Sequence, residues 1–256
     1  VNLKIEKEDY LKFLFTGFLV IPFNQIVFLV GIKFSAASHS GVLYSCTPMI
    51  VYICSIFLKH EKFQAKKIFT ISLTIIGIFL IFYENIVNVQ KDGHDILIGD
   101  ILLFFAVLSF GMYLAFSKNL IDKYGSLKAQ TVSFTVGSVL YIPIFLWDMH
   151  NLNLADVNVF GWLGYFHLAI VVAFASYFLY SYTTKFIHTS TLTTLTNTAP
   201  IFTLIFSWIL LKESLSYFFM IGAVITFIGV FLTQLMTMQK KQNNEPPKDE
   251  VEVTNL

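Results

Sequence analysis

The stretch "TNTAPIF" at positions 196–202 sets hydroxyl and amide side chains directly before a proline, inside an apolar run long enough to cross a bilayer. Polar groups and helix interruptions are tolerated at that depth where they line a protein-walled cavity. Pro200 has a partner in Pro48, and each lies near the middle of its apolar run. Each removes a backbone hydrogen bond, leaving the carbonyl of Thr196 or Tyr44 without its usual donor. Around Pro200, Thr193 and Asn197 share one helix face, and Thr194 and Thr198 share the next. Ser45 stands where Asn197 does relative to the proline. A further span is interrupted by Pro22, Asn24 and Gln25, and at the matching offset lie Phe174, Ser176 and Tyr177. Amides in mid-membrane are costly unless wetted or paired, so two readings stay open for Asn24, Gln25 and Asn197: lining a substrate cavity, or bonding one helix to another. Tyr44, Tyr52, Phe110, Tyr113 and Tyr180 are placed to form an aromatic wall, although phenylalanine is abundant throughout and aromatic richness alone says little about substrate.

Ionisable side chains decide what transport can be coupled to. Deep in a span only His167 stands out, with a proton or substrate role set against a plain helix contact. Asp100 lies in the first turns of its helix, where the dipole already favours a carboxylate, and reads as structural. Glu61 and Glu213 sit at turns between spans, a doubled position that points to capping or latching the start of the next helix. Enzyme chemistry has no foothold: HExxH, GxSxG and the Walker A loop are all missing. No bound cofactor or metal is expected. Cys46 and Cys54 share one apolar run without a CxxC spacing and read as small buried residues.

The elements that must carry these residues are membrane helices. With 56% hydrophobic and 13% charged residues and a mean hydropathy of +0.70, a 256-residue chain cannot hide its apolar side chains in one soluble core. Lysine-free apolar runs at about 13–32, 34–58, 68–83, 101–117, 129–147, 157–184, 186–211 and 214–239 give eight expected spans, with Lys66 and Lys67 snorkelling beside the shortest. Assigned alternately to the two sides, every lysine but Lys33, Lys91 and Lys212 falls on one side, which places both termini in the cytoplasm. Trp147, Trp162 and Trp208 then all fall toward the outer ends of their spans. Net charge is +1 and no basic patch with interleaved aromatics occurs, so nucleic acid is excluded as a partner.

The chain also matches itself. At the offset that carries Pro48 onto Pro200, 152 residues, Lys33-Phe34 falls on Lys185-Phe186, Ser55 on Ser207, Glu61 on Glu213, and Thr74 and Gly77 on Thr226 and Gly229. Unrelated apolar helices would share leucines, not a lysine, a proline, a glutamate and a glycine in one register. Two spans of the second half have no counterpart in the first, so a complete unit has five spans, an odd number, and the halves must be inverted. The expectation is an N-terminally truncated form of a ten-helix protein, with a natural eight-helix variant as the alternative.

The segments "KFSAASHSGVLYSCTPMIVYICSIFLKHEKF" with "TIIGIFLIF", and "KFIHTSTLTTLTNTAPIFTLIFSWILLKESL" with "TFIGVFL", resemble the paired EamA-type repeats of the drug/metabolite transporter superfamily. The shared features are a mid-helix proline, a glutamate in the following loop and a glycine in the closing helix; "IGDILLFFAVLSFGMYLAFSKNL" resembles the opening helix of the family's second repeat. The resemblance implies an all-α polytopic membrane protein, its eight transmembrane helices forming most of a 5+5 inverted-repeat ten-helix transporter. It divides the chain into a partial first repeat of three helices (1–84), a linker (85–95), a second repeat of five helices (96–237) and a disordered cytoplasmic tail (238–256). It implies a multi-pass carrier of the cell membrane, exporting small organic metabolites such as amino acids by alternating access. Sugar-phosphate or nucleotide-sugar transport and a non-transporting scaffold are the rivals. The expected partners are a small-molecule substrate and the lipid bilayer, with a homodimer allowed. The expected substrate-binding residues are Asn24, Gln25, Tyr44, Ser45, Pro48, Phe110, Tyr113, His167, Ser176, Tyr177, Tyr180, Thr193, Asn197 and Pro200.

Overall fold

The computed structural model describes residues 5–87, 94–149, 157–175, 179, 199–213 and 215–244. Within them the chain is helical, with no strand: α1 Tyr10–Phe18, α2 Asn24–Phe34, α3 Ala37–Ser45, α4 Thr47–Phe57, α5 Ala65–Val87, α6 His94–Tyr124, α7 Ser126–Met149, α8 Val159–Phe166, α9 Ala199–Leu210 and α10 Tyr217–Asn244. Among the described residues, six stretches are long and apolar enough to cross a membrane: Lys7–Phe34, Ala37–Phe57, Ala65–Tyr83, Asp95–Tyr124, Ser126–Met149 and Tyr217–Met236. Two shorter apolar helices, Val159–Val172 and Ala199–Leu210, fall where the remaining spans were expected, and the rest of those spans lies outside the described residues. Phenylalanines such as Phe57, Phe69 and Phe79 point outward, the arrangement a lipid solvent favours.

Three helix ends differ from the expected domain limits. Helix α10 runs on to Asn244, so residues 238–244, expected in the disordered tail, are helical; Met, Gln and Lys are good helix formers and carry the helix past its apolar end. Helix α5 is helical as far as Val87 and α6 from His94, both inside the bounds 85–95 expected for the linker, and residues 88–93 lie outside the described residues.

The chain forms two compact units, residues 1–140 with 200–256, and residues 141–199. In the first, α2 and α4 pack on α6, and α5 packs along α10. The α5–α10 contact is antiparallel and maps onto itself under the 152-residue register. A Cβ on Gly77 would lie 2.3 Å from Thr226 Oγ1, and one on Gly229 would lie 2.5 Å from Thr74 Oγ1. Gly77 and Thr226 are the images of Gly229 and Thr74, so a single helix crossing uses the repeat twice. Thr70 and Thr233 close it with a hydroxyl hydrogen bond of 2.6 Å.

Both halves also share their irregularities. The first span widens into a π-helical turn at Leu19–Phe23, and the second unit holds a π-helical segment at His167–Ala175; in register, the first turn falls on 171–175. Pro22 offers no N–H, and the helix passes it by bonding the Asn24 amide five residues back to the Leu19 carbonyl, which also accepts Ser109 Oγ at 2.7 Å. Helix α4 begins at Thr47 with Pro48 in its first turn; the residues before Ala199 of α9 lie outside the described residues.

Candidate functional site

Pro48 is not the mid-helix kink the sequence implies. The helix stops at Ser45, turns at Cys46 and restarts at Thr47, so Pro48 occupies a first turn, where a missing N–H costs nothing. Nor is the Tyr44 carbonyl orphaned: Thr47 Oγ1 donates to it at 2.7 Å. The Ser45 hydroxyl is similarly occupied, donating to the Val42 carbonyl at 2.5 Å. Cys46 is fully buried in the break.

Above this break the structure brings together Asn24, Tyr44, Phe110 and Tyr113. Asn24, 5% exposed, donates from Nδ2 to the Ala106 carbonyl at 2.7 Å and to Tyr44 Oη at 3.2 Å, tying α2 to α6 and α3. Of the two open readings for this amide, the geometry realises the interhelical bond. Rings continue the contact: Phe28 to Tyr44 at 5.7 Å, Tyr44 to Phe110 at 6.3 Å, Phe110 to Tyr113 at 6.1 Å and Tyr113 to Phe134 at 6.2 Å. Gln25 is exposed and stands apart from this cluster. His167 opens the π segment of the second unit, and Pro200 is helical, within α9. Ser176, Tyr177, Tyr180, Thr193 and Asn197 lie outside the described residues.

An apolar groove of about 410 Å³ runs between α4, α5 and α6, lined by Met49, Ile53, Cys54, Phe79, Phe104 and Leu108 among others, and none of the expected binding residues lines it. Tyr52, expected in the aromatic wall, is buried elsewhere. Its hydroxyl accepts the Gln64 amide at 3.1 Å, and the ring lies 4.4 Å below the Lys67 ammonium. Lys67 does not snorkel outward; it is fully buried and bonds Glu61 at 3.1 Å, while Lys66 beside it is exposed.

The two repeated glutamates have different partners. Glu213 accepts the Ala37 and Ser38 amides at 2.9 and 3.1 Å, capping the start of α3, a helix that offers no capping side chain of its own at Ala36. It thus caps a helix of the other half, not the next helix in sequence. Burial pushes its carboxyl up, but hydrogen bonds from the Ser38 hydroxyl, the Ser38 and Ala37 amides and Ser207 outweigh this and hold it below the usual carboxylate range.

Sequence reasoning missed His39. Its Nδ1 lies 3.0 and 2.9 Å from the two carboxylate oxygens of Asp100, which also accepts the Ser35 hydroxyl. The signal was an ionisable residue within the run 34–58, but its partner stands 61 residues away and only the packing of α3 on α6 joins them.

Broken helices, a π turn with satisfied carbonyls and an interhelical amide define a polytopic helical membrane protein of transporter type. The EamA-like transporter family matches residues 2–83 and 97–235. The chain belongs to that family. Among its relatives, "Uncharacterized transporter YetK" of Bacillus subtilis (strain 168) is 26% identical over 247 residues, 96% of this chain and 73% of the relative. "Uncharacterized transporter YdfC" of the same organism is 25% identical over 220 residues, 86% and 69% of the two chains. "Solute carrier family 35 member B1" of Dictyostelium discoideum is 26% identical over 124 residues, 46% of this chain and 32% of that protein.

Proposed function

We propose that the chain is a secondary transporter exporting small organic metabolites such as amino acids, by alternating access between inverted halves. The observation that carries this reading is the antiparallel α5–α10 crossing, where Gly77 meets Thr226 and the image Gly229 meets Thr74. Helices related by the repeat and running antiparallel about one crossing are what inverted repeats produce. The glutamates add to it: Glu213 caps α3 while its image Glu61 pairs with Lys67, so one repeated residue occupies two bonding arrangements. Alternating access exchanges such arrangements between the halves.

In this reading residues 1–84 and 96–237 are the partial first and complete second repeats, eight spans of a 5+5 plan. The lysine asymmetry supports cytoplasmic termini in the cell membrane. The substrate contacts Tyr44, Phe110 and Tyr113 beside Asn24, and the sequence pattern assigns Asn197 and Thr193 a binding role of their own. A phosphorylated substrate would need a free cation, and the buried Lys67 is already engaged by Glu61 and Tyr52.

The test is exchange of radiolabelled amino acids across proteoliposomes holding the purified chain. Saturable exchange, lost in Asn197→Leu without loss of folded protein, is the expected result. Exchange of nucleotide sugars instead would overturn the substrate class, and absence of exchange for either class would favour a scaffold.

A further inference from the structure

Where α2 ends and α3 begins, four elements deliver groups to one place. Ser35, following α2, donates to Asp100 of α6. His39 of α3 bonds both Asp100 oxygens, and its ring stacks on Phe219 of α10 with centroids 4.5 Å apart and planes within 8°. Glu213, in the loop between α9 and α10, bonds the amides of Ala37 and Ser38 just before His39. Lys33, Asp95 and Lys212, the charged residues closest in sequence to Ser35, Asp100 and Glu213, are exposed. The Asp100 side chain is 0% exposed and that of His39 13%.

A carboxylate so enclosed is costly unless its charge is balanced. A neutral imidazole gives it a hydrogen bond but no charge, whereas an imidazolium gives both. A protonated imidazole can therefore balance the carboxylate only while α3 lies on α6, and that partner is lost once the helices part and water reaches the carboxylate. Proton affinity that depends on conformation is what a coupling site requires. The same helices enclose the candidate substrate site: Tyr44 lies on α3 and Ala106 on α6, about 8–9 Å along each helix from His39 and Asp100.

We propose that His39 and Asp100 form the proton-binding pair of this carrier, and that the proton is its coupling ion. This rests on the transport reading above. The proton enters at His39 Nε2 from solvent, Nδ1–H stays on Asp100, and the resulting imidazolium–carboxylate pair clamps α3 to α6. In the proposed orientation this clamp closes the outer end. Release of the proton leaves neutral imidazole and an unbalanced carboxylate, and α3 is freed.

The experiment compares two readouts in proteoliposomes holding the whole chain, with radiolabelled amino acids as probe: exchange at equal pH, and accumulation driven by a pH gradient. A carrier coupled to one proton accumulates substrate about tenfold per pH unit. Asp100→Asn and His39→Gln should lose the accumulation while a measurable exchange at equal pH is retained. Loss of both readouts together in both variants, or accumulation that persists in both, would overturn the assignment. If the wild-type chain exchanges no amino acid, the substrate reading fails by itself. The site is then judged by proton binding to the purified chain: uptake of a proton lost in His39→Gln but not in His60→Gln sustains it, and unchanged uptake in His39→Gln overturns it.

Discussion

Replacing Gly77 by Val tests the α5–α10 crossing and the repeat at once. The added Cβ would lie 2.3 Å from Thr226 Oγ1, 2.6 Å from the Gly222 carbonyl and 2.7 Å from the Thr226 amide nitrogen. Two of these three neighbours are backbone, so a rotamer change at Thr226 cannot relieve the clash and the helices must separate. Overpacking of this kind costs about 1–3 kcal/mol, and the better helix propensity of valine over glycine returns only a few tenths. The net loss is about 1–3 kcal/mol, or about 2–12 °C in Tm for a chain of this size. Gly229→Val meets Thr74 Oγ1 at 2.5 Å and its amide nitrogen at 2.7 Å, so it should lower Tm by a similar amount. Because both variants open one crossing, the double variant should lose less than the two losses combined. Ile76→Val, at a neighbouring position 52% exposed, should change little. Thermal unfolding in detergent provides the assay. A large effect at Gly77 with none at Gly229 would refute a crossing shared by repeat images.

Glu213→Gln should destabilise the chain by about 1–2 kcal/mol by weakening the cap on α3. The folded carboxyl lies below its ordinary range, so the contribution of Glu213 is full at neutral pH and is lost as pH falls through the folded value; the wild-type advantage over Glu213→Gln in unfolding should shrink only at acid pH. A double-mutant cycle of Asn24→Ala with Tyr44→Phe should show a coupling of about 0.6 kcal/mol and no more than about 1.7 kcal/mol, the range of interhelical hydrogen bonds in bilayers. Thr47→Val leaves the Tyr44 carbonyl without its donor and should cost about 1–3 kcal/mol in unfolding, with Thr47→Ser recovering most of it.

The architecture was legible because it rests on signals that lie along the chain. Hydropathy marked the six long helices, and the register that pairs Pro48 with Pro200 also pairs Gly77 with Gly229, whose crossing the structure displays. Glycine was the visible half of that crossing; its threonine partners became meaningful only once α5 lay along α10. The broken helix at Cys46 was legible from Pro48, but its energetics were misread. The sequence displays the donor that proline lacks, and not that Thr47, its immediate neighbour, folds back to satisfy the carbonyl.

The same asymmetry explains the ionisable residues. A search for charges deep within a span finds His167 and passes over His39, because depth can be counted along one helix while charge balance depends on two. Asp100 reads as structural from its place in α6, and its burial becomes a functional question only when His39 arrives from α3. Glu213 shows the rule again: its place after α9 implied a cap, but the amides it meets belong to α3, across the repeat. Of these contacts, two hold the start of α3 by different means, Glu213 through a charge that stays ionised down to acid pH and His39 through one that needs a proton. A helix held by one permanent and one conditional clamp can be released by proton loss without losing its place in the fold, which is the property a moving half of a broken helix must have.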